Sequence, residues 1–204
     1  MEVPRQLGAV CGIAAPTAFV AGWVVNGLRT EGYDPLTDAI SQLAREGAPT
    51  RAVMTACFVA FGLLLPLWAG VVARELGVPA LRWVVTVAGL ATLAVAALPL
   101  TREGGGAQDT WHAVAALTGY VAMAATPLVA ARGLHGWKRE ASLLVGLASA
   151  FALATSIVIE GGGGHQRLGL TLVDAWHVVV ATSVLVRPRS RSRSRSRSQE
   201  PSRP

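Results

Sequence analysis

Long apolar runs separated by short polar connections set the pattern of this chain. Six stretches, 7–28, 52–73, 81–100, 111–131, 141–159 and 168–186, each approach the ~20 apolar residues a helix needs to cross the hydrocarbon core. The pattern predicts an all-α, polytopic membrane bundle of six transmembrane helices. The first run is longer than the about 7–15 apolar residues of a signal peptide, and only Arg5 precedes it, so it is expected to be a retained span. The connection 29–51 has its own periodicity. Asp34-Pro35 reads as an N-cap followed by Pro at the first helical position. Leu36, Ile40, Leu43 and Ala44 then recur at helical spacing, with Asp38, Ser41, Gln42 and Arg45 opposite. A short amphipathic helix is expected here, serving as a lid over a cavity or as an interfacial anchor.

Composition agrees with a membrane protein and narrows its partners. Charged residues make up 15% of the chain, against about 25% in soluble domains. The net charge of +6 comes from the end of the chain, because residues 187–204 hold seven Arg and one Glu. Residues 1–186 are expected to be the membrane domain. Residues 187–204, an Arg/Ser-rich stretch unable to bury a core, are expected to be a disordered tail that contacts anionic lipid. No specific nucleic-acid partner is expected. Of the 18 Lys and Arg, 13 lie in the N-terminus, the 74–82 and 132–140 loops and the tail. This bias predicts that both termini face the cytoplasm, in a bacterial plasma (inner) membrane. Cys11 and Cys57 fall in opposite leaflets of antiparallel spans and should not bridge.

The best lead to chemistry is a repeated tetrapeptide. Asp109-Thr110-Trp111-His112 and Asp174-Ala175-Trp176-His177 each follow a glycine run, 104–106 and 161–164. Ionisable residues within a span are costly and commonly functional. An acid and a histidine three apart share one helix face, so each carboxylate is placed to hydrogen-bond its imidazole and fix the tautomer. Such pairs suit a general base or a divalent-metal ligand, and Asp109, His112, Asp174 and His177 are the candidate catalytic and metal-ligating residues. Glu160 joins them as a catalytic candidate, with Asp38, Ser41, Ser156 and Thr171 as candidate substrate-binding residues around one polar pocket. Plainer roles compete: a helix-start cap for Asp109, a self-satisfying pair for Asp174 and His177, a water-reaching charge for Glu160 and an exposed loop position for His165. Depth argues against one shared metal. Counted from Leu168, Asp174 and His177 lie roughly 9 and 14 Å below the membrane boundary, whereas His112 begins its span. Haem ligation by His112 and His177 meets the same mismatch. Trp111 suits an interface better than the deeper Trp176. The row Gly146, Ala150, Ala154 reads as helix packing.

The stretch Gly32-Tyr33-Asp34-Pro35-Leu36-Thr37-Asp38-Ala39-Ile40-Ser41-Gln42-Leu43, followed by Gly47-Ala48-Pro49 and a second span, resembles the domain of unknown function 998 family. Asp109 and His112 before the fourth span, and Gly163, Gln166, Arg167 and Leu168 before the last, extend the resemblance over 7–186. It implies a six-span fold in bacterial or archaeal membranes and no established activity. The Asp174–His177 pair is the expected point of departure from that pattern. Two classes of function follow. One is an outward-facing intramembrane enzyme acting on a lipid-soluble small molecule that arrives from the bilayer. The other is a non-enzymatic accessory or structural protein. A small transporter with an Asp/His proton relay is a third reading, weakened by the lack of ionisable partners in the cytoplasmic half.

Overall fold

The computed structural model describes residues 3–187. Six helices account for the spans: α1 Arg5–Arg29, α2 Arg51–Leu76, α3 Ala80–Ala97, α4 Gly106–Ala130, α5 Trp137–Val158 and α6 Gly163–Val186. Each is long and apolar enough to cross a membrane. Each packs against the next in sequence, and α6 returns onto α1, so the helices close into a ring with α4 and α6 also in contact. We call the side bearing the 30–50, 98–105 and 159–162 connections the loop face. The described chain ends lie on the opposite side, where Arg5 forms an ion pair with Glu75 at 2.7 Å.

Small residues let the helices approach. A Cβ added at Gly62 on α2 would lie 2.9 Å from the carbonyl oxygen of Gly89 on α3, and one at Gly89 would lie 2.8 Å from Pro66 Cδ. Backbones this close exchange dispersion contacts that larger side chains would prevent. The core between helices is mainly aromatic and aliphatic: Phe19, Phe58 and Phe61 form a tilted cluster with ring centroids 5.3–5.8 Å apart. Outward faces carry Leu, Val, Trp and Phe side chains that a bilayer would cover, such as Phe151 and Leu144. Cys11 and Cys57 are both free thiols, and Cys57 lies beside Gly22, well along α1 from Cys11.

Two segments differ from the sequence expectation. The amphipathic helix expected from Asp34 is a turn followed by a five-residue 3-10 helix, Ile40–Ala44. Asp34 Oδ1 accepts from the Leu36 amide and Asp38 Oδ2 accepts from the Asp34 amide, so the two acids wind a local turn in place of an α-helix. The amphipathicity survives in the second half: Ile40, Leu43 and Ala44 are buried, while Leu36 is exposed. Second, α4 and α6 begin five residues earlier than their apolar runs, at Gly106 and Gly163. Neither glycine run is a loose linker. Gly104, Gly105 and Gly106 all take positive φ, winding the chain around the Asp109 carboxylate. At the other run, a Cβ on Gly163 would meet the Asp38 carbonyl oxygen at 2.4 Å, because the first loop lies directly on the start of α6.

The first loop is tied down on two sides. Arg45 Nε donates to Thr101 O at 2.8 Å, joining it to the α3–α4 turn. The Gly164 amide donates to Leu36 O at 2.7 Å, and Gln166 Oε1 accepts from the Ile40 amide at 2.8 Å. Arg167 completes the attachment to α6: Nη1 donates to Asp38 O at 2.7 Å and to Gly163 O at 2.9 Å, and Nη2 donates to Tyr33 Oη. The guanidinium also lies over the Trp23 and Tyr33 rings, at 5.3 and 5.4 Å. The two stretches that carry the family resemblance, 32–49 and 163–168, are thus the two halves of one joint. Burial pushes the Tyr33 phenol above its ordinary value, with Arg167 opposing, so it stays neutral at pH 7.

Candidate binding cavity and the two histidines

Neither Asp-x-Trp-His motif forms the acid–imidazole bond that its spacing allows. Asp109 accepts from the Thr101 amide at 2.8 Å, from Thr101 Oγ1 at 3.1 Å and from the Gly105 amide at 2.6 Å. Its carboxylate is thereby occupied by the α3–α4 turn. His112 Nδ1 instead meets Leu98 O at 2.6 Å. In the second motif, both Asp174 oxygens are buried without a partner. His177 Nδ1 accepts from Trp68 Nε1 at 3.0 Å, across to α2, and His177 Nε2 is buried without a partner.

These partners settle the histidine tautomers. A carbonyl oxygen only accepts, so His112 Nδ1 carries the hydrogen, and in the neutral ring Nε2 presents a lone pair. An indole nitrogen only donates, so His177 Nδ1 is unprotonated and the neutral ring carries its hydrogen on Nε2. A metal or haem iron at His177 Nε2 would need the opposite tautomer, with Nδ1–H donating outward. His112 has the tautomer that a ligand or base needs; His177 does not.

The two motifs do not come together as one ligand set. Among the described residues no group of three or more His, Cys, Asp and Glu side chains stands together. Counted along the helices, His112 lies about 9 Å from the start of α4, and Asp174 and His177 lie about 16 and 21 Å from the start of α6. The two motifs also differ in their tryptophans. Trp111 is 61% exposed on the lipid-facing surface, while Trp176 is buried and donates to Ser142 Oγ at 2.9 Å.

The remaining candidates do not share one pocket. Glu160 is exposed. Ser156 Oγ donates to Leu153 O on its own helix, and Thr171 is half-buried on α6. Ser149 donates to Gly169 O at 2.8 Å and fastens α5 to α6. Asp38 serves through its backbone carbonyl, which receives Arg167. Ser156 lines a small pocket beside Tyr120 and Gln166, and Ser41 lines a separate cavity together with His112.

That cavity lies between α1, α2, α3, α4, α6 and the 3-10 helix, and has a volume of about 60 Å³. Its apolar wall includes Phe19, Phe58, Phe61 and Met123. Its polar groups are Ser41, Thr92, His112, Tyr120 and Gln166. Thr92 Oγ1 donates to Ala88 O and is self-satisfied. Tyr120 Oη accepts from Gln166 Nε2, which leaves the phenolic hydrogen available. Among the cavity's polar groups, His112 Nε2, the Tyr120 hydrogen and the Ser41 hydroxyl have no protein partner. Tyr120 carries no motif in the sequence, being a lone tyrosine in an apolar helix, and Gln166 and Arg167 are marked there only by the family resemblance.

Fold and site together define a polytopic six-helix membrane protein whose loop-face half encloses a small amphipathic cavity. Residues 13–183 match the family model described as "Protein of unknown function (DUF998)", and the chain belongs to that family. No curated protein and no solved structure matches it.

Proposed function

We propose that this protein binds a lipid-soluble small molecule by its hydroxyl end, in the cavity between α3, α4 and α6. The observation that supports the reading is the His112 tautomer: Nδ1–H is anchored on Leu98 O, so Nε2 offers a lone pair in a mostly apolar space. An alcohol both donates and accepts, which matches His112 Nε2 and the Tyr120 hydroxyl. A cavity of this size takes a polar end group and not a whole lipid, so the rest of the ligand must lie elsewhere. The distribution of Lys and Arg supports placing the loop face outside and both termini in the cytoplasm, with the tail along anionic lipid.

The test uses a long-chain alcohol whose photoreactive carbon adjoins the hydroxyl, with protein in lipid nanodiscs. Wild type should be labelled on α4 near His112, and His112→Phe should lose about tenfold in labelling, the loss of one buried hydrogen bond. Equal labelling of both, or equal labelling by the matching alkane, would sink the reading.

The same tautomer favours a second reading, an outward-facing enzyme in which His112 acts as general base on the bound hydroxyl. It rests on His112 alone and not on the Asp-x-Trp-His pairs. Consumption of a labelled alcohol by wild type but not by His112→Gln would support it; recovery of the alcohol unchanged would leave the protein a binder.

A further inference from the structure

The cavity lining is not uniformly buried, and the difference has a direction. Phe19, Phe58, Phe61, Ala91, His112 and Ala115 are buried, whereas Thr92 and Val95 on α3 and Ala116, Gly119 and Tyr120 on α4 are half-buried. Of the half-buried lining, Thr92, Val95 and Gly119 lie along the α3–α4 seam, whereas Tyr120 turns toward α5 and α6 and Ser41 belongs to the first loop. The side chains there are small: a Cβ added at Gly119 would meet only Ala91 Cβ, at 3.5 Å. Thr92 on the cavity side and Thr118 on the groove side both spend their hydroxyls on their own helices, on Ala88 O and Val114 O. To a molecule in the bilayer, the seam is therefore apolar.

The seam continues away from the loop face as an open groove of about 540 Å³, lined by Trp83, Val84 and Val87 of α3 and Val121, Ala122 and Ala125 of α4. Val84, Val87, Ala91 and Val95 form one row at spacings of three and four on α3, so groove and cavity share one helix face. From Thr92 to Trp83 the seam runs about 14 Å along α3.

We propose that the ligand is a single-chain, long-tailed alcohol that reaches the cavity laterally from the bilayer between α3 and α4. Its hydroxyl sits between His112 and Tyr120, and its tail lies in the groove at Trp83, Val87, Val121 and Ala125. This deepens the reading of His112 above and rests on it. The small residues Ala91 and Gly119 stand between the cavity and this groove, whereas the Tyr120 ring stands between the cavity and the apolar groove of α4 and α5, which favours this tail position. Charged or two-chain lipids do not fit: the mouth offers no free polar group, and the cavity holds only an end group.

Two photoreactive hexadecanols in nanodiscs test it, one with the reactive carbon next to the hydroxyl and one with it at the chain terminus. The head probe should label near His112, and the tail probe should label Trp83–Val87 or Val121–Ala125. Hexanol should compete at least tenfold more weakly than hexadecanol. Gly119→Leu and the milder Ala116→Leu, which narrow the mouth at half-buried positions, should cut labelling by both probes several-fold, while a thermal melt matching wild type shows that the protein still folds. Head labelling near His112 with tail labelling on Ala150, Ala154 or Ile157 would overturn the α3–α4 path and leave the His112 reading standing. Equal competition by hexanol, or full labelling of both narrowed variants, would overturn the tail groove or the lateral path. Absence of His112-dependent head labelling would overturn the binding reading itself.

Discussion

Replacing Arg167 should release the first loop and destabilise the bundle. Its side chain is 7% exposed, donates to Asp38 O, Gly163 O and Tyr33 Oη, and stacks on Trp23 and Tyr33. Hydrogen bonds from a charged donor contribute roughly 1.5–3 kcal/mol each. Two of the three here cross to the loop. The aromatic contacts add about 0.5–2 kcal/mol. Against these stands the desolvation of a guanidinium that forms no ion pair among the described residues, several kcal/mol in sign opposite to the contacts. Arg167→Met removes both the contacts and the desolvation, so the net loss should be about 2–4 kcal/mol, or roughly 5–10 °C in Tm. Arg167→Lys keeps the desolvated charge but not the planar fork, and should be no better tolerated. The assay is thermal unfolding in nanodiscs with hydrogen exchange of residues 34–44, where the Ile40 amide depends on Gln166 beside Arg167. Wild-type exchange across 34–44 together with an unchanged Tm in Arg167→Met would refute the assignment of this residue as the joint between loop and helix.

Three further outcomes follow from the core and the loop. His177→Phe strands the Trp68 indole N–H and should cost about 1–3 kcal/mol, most of it recovered in the double variant with Trp68→Phe; additive losses in a double-mutant cycle would show that the 3.0 Å bond carries no weight. Asp174→Leu removes a buried carboxyl that no donor meets, so it should be neutral or stabilising by about 1–2 kcal/mol. A loss above that range in chemical denaturation would mean that Asp174 has a partner. The raised Tyr33 value means that the folded state holds this proton more tightly than the unfolded chain does. Stability from this group is therefore full below about pH 10 and falls as pH rises through the folded value. Tyr33→Phe should remove that alkaline component from a Tm–pH curve, and an unchanged alkaline limb would contradict it.

How far the sequence reaches is clearest at particular residues. Six spans, their order and the family follow from apolar run length and from motifs at 32–49 and 163–168, because a helix in lipid must satisfy its own backbone and therefore announces itself locally. The buried stripe of Ile40, Leu43 and Ala44 was likewise legible, although two aspartates turn the preceding chain into a tight turn. The partners of the polar side chains were not legible. Spacing placed Asp109 beside His112 and Asp174 beside His177, yet the bonds go to Thr101, Gly105, Leu98 and Trp68. A helix face says which side chains are neighbours along one helix. It does not say what the facing helix offers, and a carbonyl or indole from across the interface decides the tautomer of each ring. For the same reason Arg167, which the sequence puts just before the last apolar run, is a buried fastener. His112, one of two apparently equal histidines, is the one whose free nitrogen belongs to a cavity.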